Sequence, residues 1–173
     1  MSQGVGNTTL AFTRAWHHVS ARDRVLGKLA ASIANVLVGK HKPRGVYDQS
    51  LDSGDYVVVT NARHVLVTGK KDQQMVYRHH TMYPGGLKEI SYATMMQKKP
   101  DEIIRKAVSG MLPKNRLRDR RLERLKIFPD EEHPYEANII KRYDLGDIFA
   151  AEREPAAAST RSKVSESGST HTS

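Results

Sequence analysis

Between Lys114 and Lys126 the chain sets seven Arg or Lys against two acids, Asp119 and Glu123. The chemistry open to such a run is the neutralisation of phosphate. Wound as a helix, Arg116, Arg120 and Arg124 fall at i, i+4 and i+8 and form one exposed stripe, so reversing their charge is expected to spare the fold. Leu117, Leu122 and Leu125 cover an adjoining face, into which Arg118 and Arg121 also project. Unpaired guanidinium groups are costly in a dry core, so something negative is expected beside them. Just upstream, Gly110, Pro113 and Lys114 are expected to end one helix and aim the amide-rich start of the next, beside a lysine, toward an anion.

Three further clusters share this chemistry. Lys40, His41, Lys42 and Arg44 crowd one loop, Lys70 and Lys71 follow Gly69 in another, and Arg78, His79 and His80 precede a glycine turn that ends at Lys88. Nucleotide stacking or phosphate contact suits His79 and His80 in that setting. His17 and His18 are neighbours on an expected strand and point to opposite faces, one packed and one exposed, so neither histidine pair chelates a metal unaided. Asp52 and Asp55, in the stretch DSGD, read as turn or cap residues at the start of a strand. There is no nucleotide-binding glycine signature, nucleophile elbow or HExxH. No catalytic residue, metal site, cofactor or small-molecule substrate is therefore expected. Tyr47, Tyr77 and Tyr83 are too sparse for a stacking platform, which leaves recognition by shape and backbone, with affinity falling steeply as salt rises.

The whole composition agrees. A chain of 173 residues with a net charge of +9 and clustered basic residues points to a polyanion, nucleic acid before an anionic membrane. Absence of cysteine excludes disulfides, Cys-based zinc sites and thiol catalysis. No apolar run is long enough to cross a bilayer, so no membrane insertion is expected. Residues 1–15 hold one arginine and no acid, a loose match to a matrix-targeting segment.

These residues need a scaffold. Residues 15–21 read as a strand, and Asp23 is the expected N-cap of a helix whose Leu26, Leu29, Ala30, Ile33, Val36 and Leu37 share one face, with Gly39 closing it. Residues 55–61 contain three consecutive valines, the pattern of a strand covered on both sides. Strand, helix and strand in that order predict a right-handed crossover with parallel pairing. Residues 65–68 are expected as a further strand that turns back or leaves the sheet, and residues 74–81 as a short strand or ribbon. Ser91 caps a short helix. Pro100, backed by Asp101 and Glu102, starts another with Ile103, Ile104, Ala107, Val108 and Met111 on its apolar face. Residues 125–128 close the domain as a strand. The resulting division is an N-terminal extension at 1–14, a domain at 15–128, a C-terminal extension at 129–149 and a low-complexity tail at 150–173, too polar to fold alone. Within the extension, Ile139, Ile140, Tyr143 and Phe149 are candidate anchors on a neighbouring protein.

Several blocks, taken in order and spacing, resemble the ribosomal protein L-thirteen family across residues 15–128. They are the Trp16 strand with LGKLAASIA, GKHKP at 39–43, GDYVVVTNA at 54–62, VTGKK at 67–71, HHTMYPGGLK at 79–88, AVSGMLPKNRL at 107–117 and LKIF at 125–128. The resemblance implies a three-layer α/β/α sandwich with a small, mainly parallel sheet. It also implies a non-enzymatic structural role in the large ribosomal subunit, binding ribosomal RNA and supporting assembly, with ribosomal proteins as neighbours. In such a protein Lys40, His41, Lys42, Lys70, Lys71, His79, His80, Lys88, Lys114, Arg116, Arg118, Arg120 and Arg121 would face RNA. Arg78 and Arg124 join them on charge and position alone. The two terminal extensions look like those of mitochondrial members, fungal ones especially, which implies the mitochondrial matrix rather than a bacterial cytoplasm. Two other readings compete: a free regulatory RNA-binding protein, and a phosphate-handling α/β enzyme that uses Lys114 and the helix start.

Overall fold

A computed structural model of the chain describes residues 13–42, 47–48 and 51–143; Arg44, Phe149, most of the N-terminal extension and the tail from 150 onward lie outside the described residues. The elements run β1 (Trp16–Ser20), α1 (Leu26–Val38), β2 (Tyr56–Thr60), α2 (Lys71–Gln74), β3 (Val76–His80), β4 (Leu87–Ser91), α3 (Tyr92–Lys98), α4 (Pro100–Met111), α5 (Leu117–Glu123), β5 (Leu125–Ile127) and β6 (Lys141–Tyr143). Four of the strands form one sheet in the order β5-β2-β1-β6, and each pairing is parallel. β3 and β4 pair antiparallel as a separate ribbon. The architecture is the expected α/β sandwich around a mainly parallel sheet.

The valine run earns its place at the centre. Val57, Val58 and Val59 are each no more than 1% exposed, and β2 lies between β1 and β5. On one face Val19, Val57, Val59 and Leu125 join Leu29, Ile33 and Leu37 of α1 and Ile103, Ile104 and Val108 of α4 in a single apolar cluster. The other face has a thinner cover. There Trp16 stacks on Tyr56 at 4.3 Å and on Tyr135 at 5.2 Å, while His18 stacks on His133 at 5.4 Å. Phe128 lies against both His133 and Tyr135, so the segment after β5, including the 3-10 turn Glu136–Asn138, supplies the third layer.

That cover corrects the expectation for the histidine pair. His17 and His18 do point to opposite faces, but both are buried, at 3% and 9% exposure, because neither face is left to solvent. His18 meets Thr60 on the neighbouring strand, Nε2 to Oγ1 at 3.1 Å. The extension after residue 128 is likewise bound to the sheet. β6 pairs with β1 at its edge, and Ile140 donates its N–H to Trp16 O at 3.0 Å.

Two local expectations also change. Asp23 is not an N-cap; it sits in the left-handed region at φ 58°, two residues before the actual cap, Val25. The first amide of α1, Leu26 N–H, is satisfied instead by Leu66 O at 2.9 Å, and Leu66 N–H returns to Arg24 O at 2.9 Å. Residues 65–68 thus leave the sheet and dock on the start of α1 through one parallel bridge, Val25 with Leu66, without forming a strand. Ser91 caps α3 as expected, its hydroxyl accepting from Thr94 N–H. Pro100 opens α4 with Asp101 and Glu102 in the first turn, where acids favour the helix dipole.

Candidate nucleic-acid interface

The fifteen candidate cations divide by where the backbone sends them. Lys40, Lys70, Lys71, Arg78, His79, His80, Lys88, Lys114, Arg116 and Arg120 are exposed. Lys40 follows the left-handed glycine that ends α1, Gly39 at φ 93°. Lys70 and Lys71 lie at the start of α2, after another left-handed glycine, Gly69. The ribbon pairs His79 with Lys88 and Arg78 with Glu89 across its strands, and only Arg78 of the ten has a carboxylate partner among the described residues, at 2.6 Å. Exposed lysines and arginines with no internal acid keep their charge for a ligand.

Three side chains of the arginine helix turn onto internal partners. α5 ends at Glu123 and Arg124 is its C-cap, still in the right-handed helical region, but it is buried where Arg116 and Arg120 are exposed. It is 3% exposed, grips both oxygens of Asp52 at 2.5 and 2.6 Å, and donates from Nη2 to Leu37 O at 3.2 Å. Leu37 belongs to the last turn of α1, whose carbonyls lack helical partners, so Arg124 also caps that helix. Arg121 is 2% exposed, with Nε 3.7 Å from Asp52. Arg118 turns back to Ser109, donating to its carbonyl and its hydroxyl at 2.7 Å each. The negative group expected beside the leucines is therefore internal. Arg121 and Arg124 are withdrawn from the surface, and a charge reversal that included Arg124 would break the core.

Asp52, read from the sequence as a turn or cap residue, is instead the internal counterion of these arginines. It stands in the segment that leads into β2, where Gly54 runs so close to α1 that a Cβ would lie 1.8 Å from Leu37 O. Burial pushes the Asp52 carboxyl up, but the hydrogen bonds and charge of Arg124, joined by the charges of Arg14 and Arg121, hold it below its ordinary value. Three residues on, Asp55 gathers a second set. His17 and His41 bring Nε2 to one carboxylate oxygen at 3.0 and 2.8 Å, while the Lys42 ammonium lies 2.9 Å from the other. Burial raises the Asp55 carboxyl, and these three partners together drive it far below the usual carboxylate range.

His17, His41 and Asp55 have ligand atoms within 4.8 Å of one another, close enough to hold a metal ion. Both imidazoles converge on a single oxygen at hydrogen-bonding distance, however, and Lys42 already supplies a positive charge to the carboxylate. The arrangement acts as an anchor that ties the loop after α1 to the strand edge. His41 and Lys42, half-buried, thereby serve the fold first, and Lys40 is left as the exposed cation beside them.

The start of α5 offers little to an anion. The helix has seven residues, its Arg116 N-cap makes no side-chain cap bond, and Leu117 N–H is already taken by Asn115 Oδ1 at 3.2 Å. Lys114 is exposed in the preceding loop, and the anion site that the phosphate-enzyme reading requires is not assembled there.

Internal carboxylates that absorb part of the cations, an outer set left unpaired, and a rigid parallel sheet beneath them define a cationic α/β scaffold protein. The chain belongs to the ribosomal protein L13 family, whose profile, described as Ribosomal protein L13, matches residues 14–134. It is 46% identical over 159 residues to the large ribosomal subunit protein uL13m of Neurospora crassa, covering 82% of this chain and 86% of that one. It is 46% identical over 144 residues to uL13m of Schizosaccharomyces pombe, covering 83% and 90%. With uL13 of Clostridioides difficile it shares 54% identity over 124 residues, 72% of this chain and 85% of that one. The family consists of ribosomal structural proteins, which are not enzymes.

Proposed function

We propose that this protein is a structural constituent of the mitochondrial large ribosomal subunit, located in the matrix, that binds large-subunit ribosomal RNA and supports subunit assembly. Kinship with the uL13m proteins of two fungi supports the compartment and the particle. The observation that carries RNA binding is the partition of charge: Lys70, Lys71, Lys88, Lys114, Arg116 and Arg120 are exposed and have no carboxylate partner among the described residues. Cations disposed in this way neutralise phosphates and release counterions, with no need for base-specific contacts.

The test is gradient sedimentation of the tagged protein from mitochondrial lysate, with the variant Lys70→Glu, Lys71→Glu, Arg116→Glu, Arg120→Glu beside it. The wild type should travel with the large subunit and be nearly absent from the soluble fractions. The variant should fold, by thermal melting, yet shift into the soluble pool. A wild-type protein that stayed soluble would favour the free regulatory RNA-binding reading instead.

A further inference from the structure

Large apolar side chains stand exposed at nine positions among the described residues, and five of them are on the β3–β4 ribbon: Val76, Met82, Tyr83, Leu87 and Ile90. Scattered surface apolar groups need no explanation, but this concentration on one projection does. The base of the ribbon is fixed to the body, where Tyr92 N–H donates to Met75 O at 2.8 Å and Tyr77 packs against the core. Its tip is fixed by its own bonds. Thr81 N–H donates to Gly86 O at 3.0 Å, Gly86 N–H to Tyr83 O at 2.9 Å, and Met82 N–H to His80 Nδ1 at 3.0 Å. Met82 is held at φ 69°, a left-handed conformation that a methionine keeps only when its surroundings impose it. The turn thus presents Met82 and Tyr83, 88% and 75% exposed, on a preformed loop.

The charge around that loop selects the partner. From His79 to Lys88 there is no acid, and Glu89, the one carboxylate on the ribbon, is held by Arg78 at 2.6 Å. His79 and Lys88 are cross-strand partners and share a face. An exposed aromatic ring on an acid-free turn, carried by the same ribbon as Lys88 and His79, matches the face of an unstacked base and its flanking phosphates. We infer that Tyr83 stacks on an unpaired nucleotide of ribosomal RNA while Lys88 and His79 hold the adjoining phosphates. This rests on the RNA-binding reading above and deepens it, since phosphate neutralisation alone requires no aromatic contact and no single-stranded element.

The full-length protein and its Tyr83→Ala, Tyr83→Phe and Lys88→Ala variants would be titrated with large-subunit ribosomal RNA transcribed in vitro, at several salt concentrations. Stacking predicts that Tyr83→Ala weakens binding by roughly 5- to 150-fold with the salt slope unchanged, and that Tyr83→Phe binds as wild type. Lys88→Ala should flatten the slope by about one. Tyr83→Ala binding as tightly as wild type, with salt dependence intact, overturns the stacking and leaves the RNA-binding reading standing. A wild-type protein without salt-dependent RNA binding overturns both. Normal RNA binding by Tyr83→Ala, combined with its loss from assembled subunits, would assign the tip to a protein neighbour and also overturn the proposal.

Discussion

Replacing Asp52 by Ala should be far more damaging than its place in the segment before β2 suggests. The substitution removes the only carboxylate within salt-bridge distance of Arg121 and Arg124 among the described residues, and both guanidinium groups are at most 3% exposed. Breaking a buried ion pair from one side costs about 3–5 kcal/mol, because the remaining charge is left without a counterion. Against a typical stability of about 5–15 kcal/mol, that lowers the melting temperature by roughly 10–20 °C. Calorimetry of the isolated protein measures this, with Arg120→Ala as the exposed control, which should stay within about 0.5 kcal/mol of wild type. The double variant Asp52→Ala, Arg124→Met should recover part of the loss, since it removes both members of the closest buried pair and leaves only Arg121, 3.7 Å from Asp52 in the wild type, without a counterion. The reasoning fails if Asp52→Ala melts with the wild type, or if the double variant is as unstable as the sum of the single ones.

Acid should act on the same contacts. Asp52 and Asp55 are both held below the unfolded value of 3.8, so the stability they contribute is complete above about pH 5 and is lost as pH falls through the ordinary carboxylate range toward their folded values. Melting temperatures measured from pH 6 down to pH 3 should fall, and the Asp52→Asn, Asp55→Asn double variant should show a flatter profile; equal slopes would refute the assignment. Two glycines make a second contrast. Gly54→Ala drives a Cβ to 1.8 Å from Leu37 O and should destabilise by at least about 1–3 kcal/mol, whereas Gly27→Ala, with nothing within 4 Å, should stabilise α1 by roughly 0.5–1 kcal/mol. Thermal melts that reversed this order would contradict the packing described at Gly54.

The parts of the fold legible in sequence are those whose signal is local and repeated. The apolar face of α1, the valines of β2 and the capped start of α4 follow from periodicity and end residues, and the order strand, helix, strand fixes the parallel pairing. β6 carries no such signal: Lys141–Tyr143 is short and charged, and it joins the sheet through backbone bonds available to almost any residue. The burial of His18 depends on His133, more than a hundred positions away. The Asp52–Arg124 pair spans 72 positions, and a helical wheel groups Arg124 with the exposed Arg116 and Arg120 because it carries no information about an acid so far away in sequence. Of the candidate residues, those at 70–71, 78–80, 88 and 114 are exposed, whereas His41 and Lys42 are half-buried. Charge alone could not distinguish an outward arginine from one that folds onto an internal acid.

That distinction has a functional consequence. Asp52 and Asp55 flank Gly54 at the C-terminal end of α1, where the helix dipole disfavours negative charge, so their ionisation depends on the cations gathered around them. Arg121, Arg124, Lys42 and His41 are already committed there, and withdrawing them toward phosphate would leave two carboxylates stranded. A count of basic residues therefore overstates the number of phosphate contacts. Salt titration of RNA binding separates the two groups: Arg120→Ala should reduce the slope of log affinity against log salt by about one, whereas Arg124→Ala should lower stability and leave the slope of the folded protein unchanged. Equal loss of slope in the two variants would mean that Arg124 exchanges Asp52 for phosphate on binding, and the separation of bracing cations from binding cations would not hold.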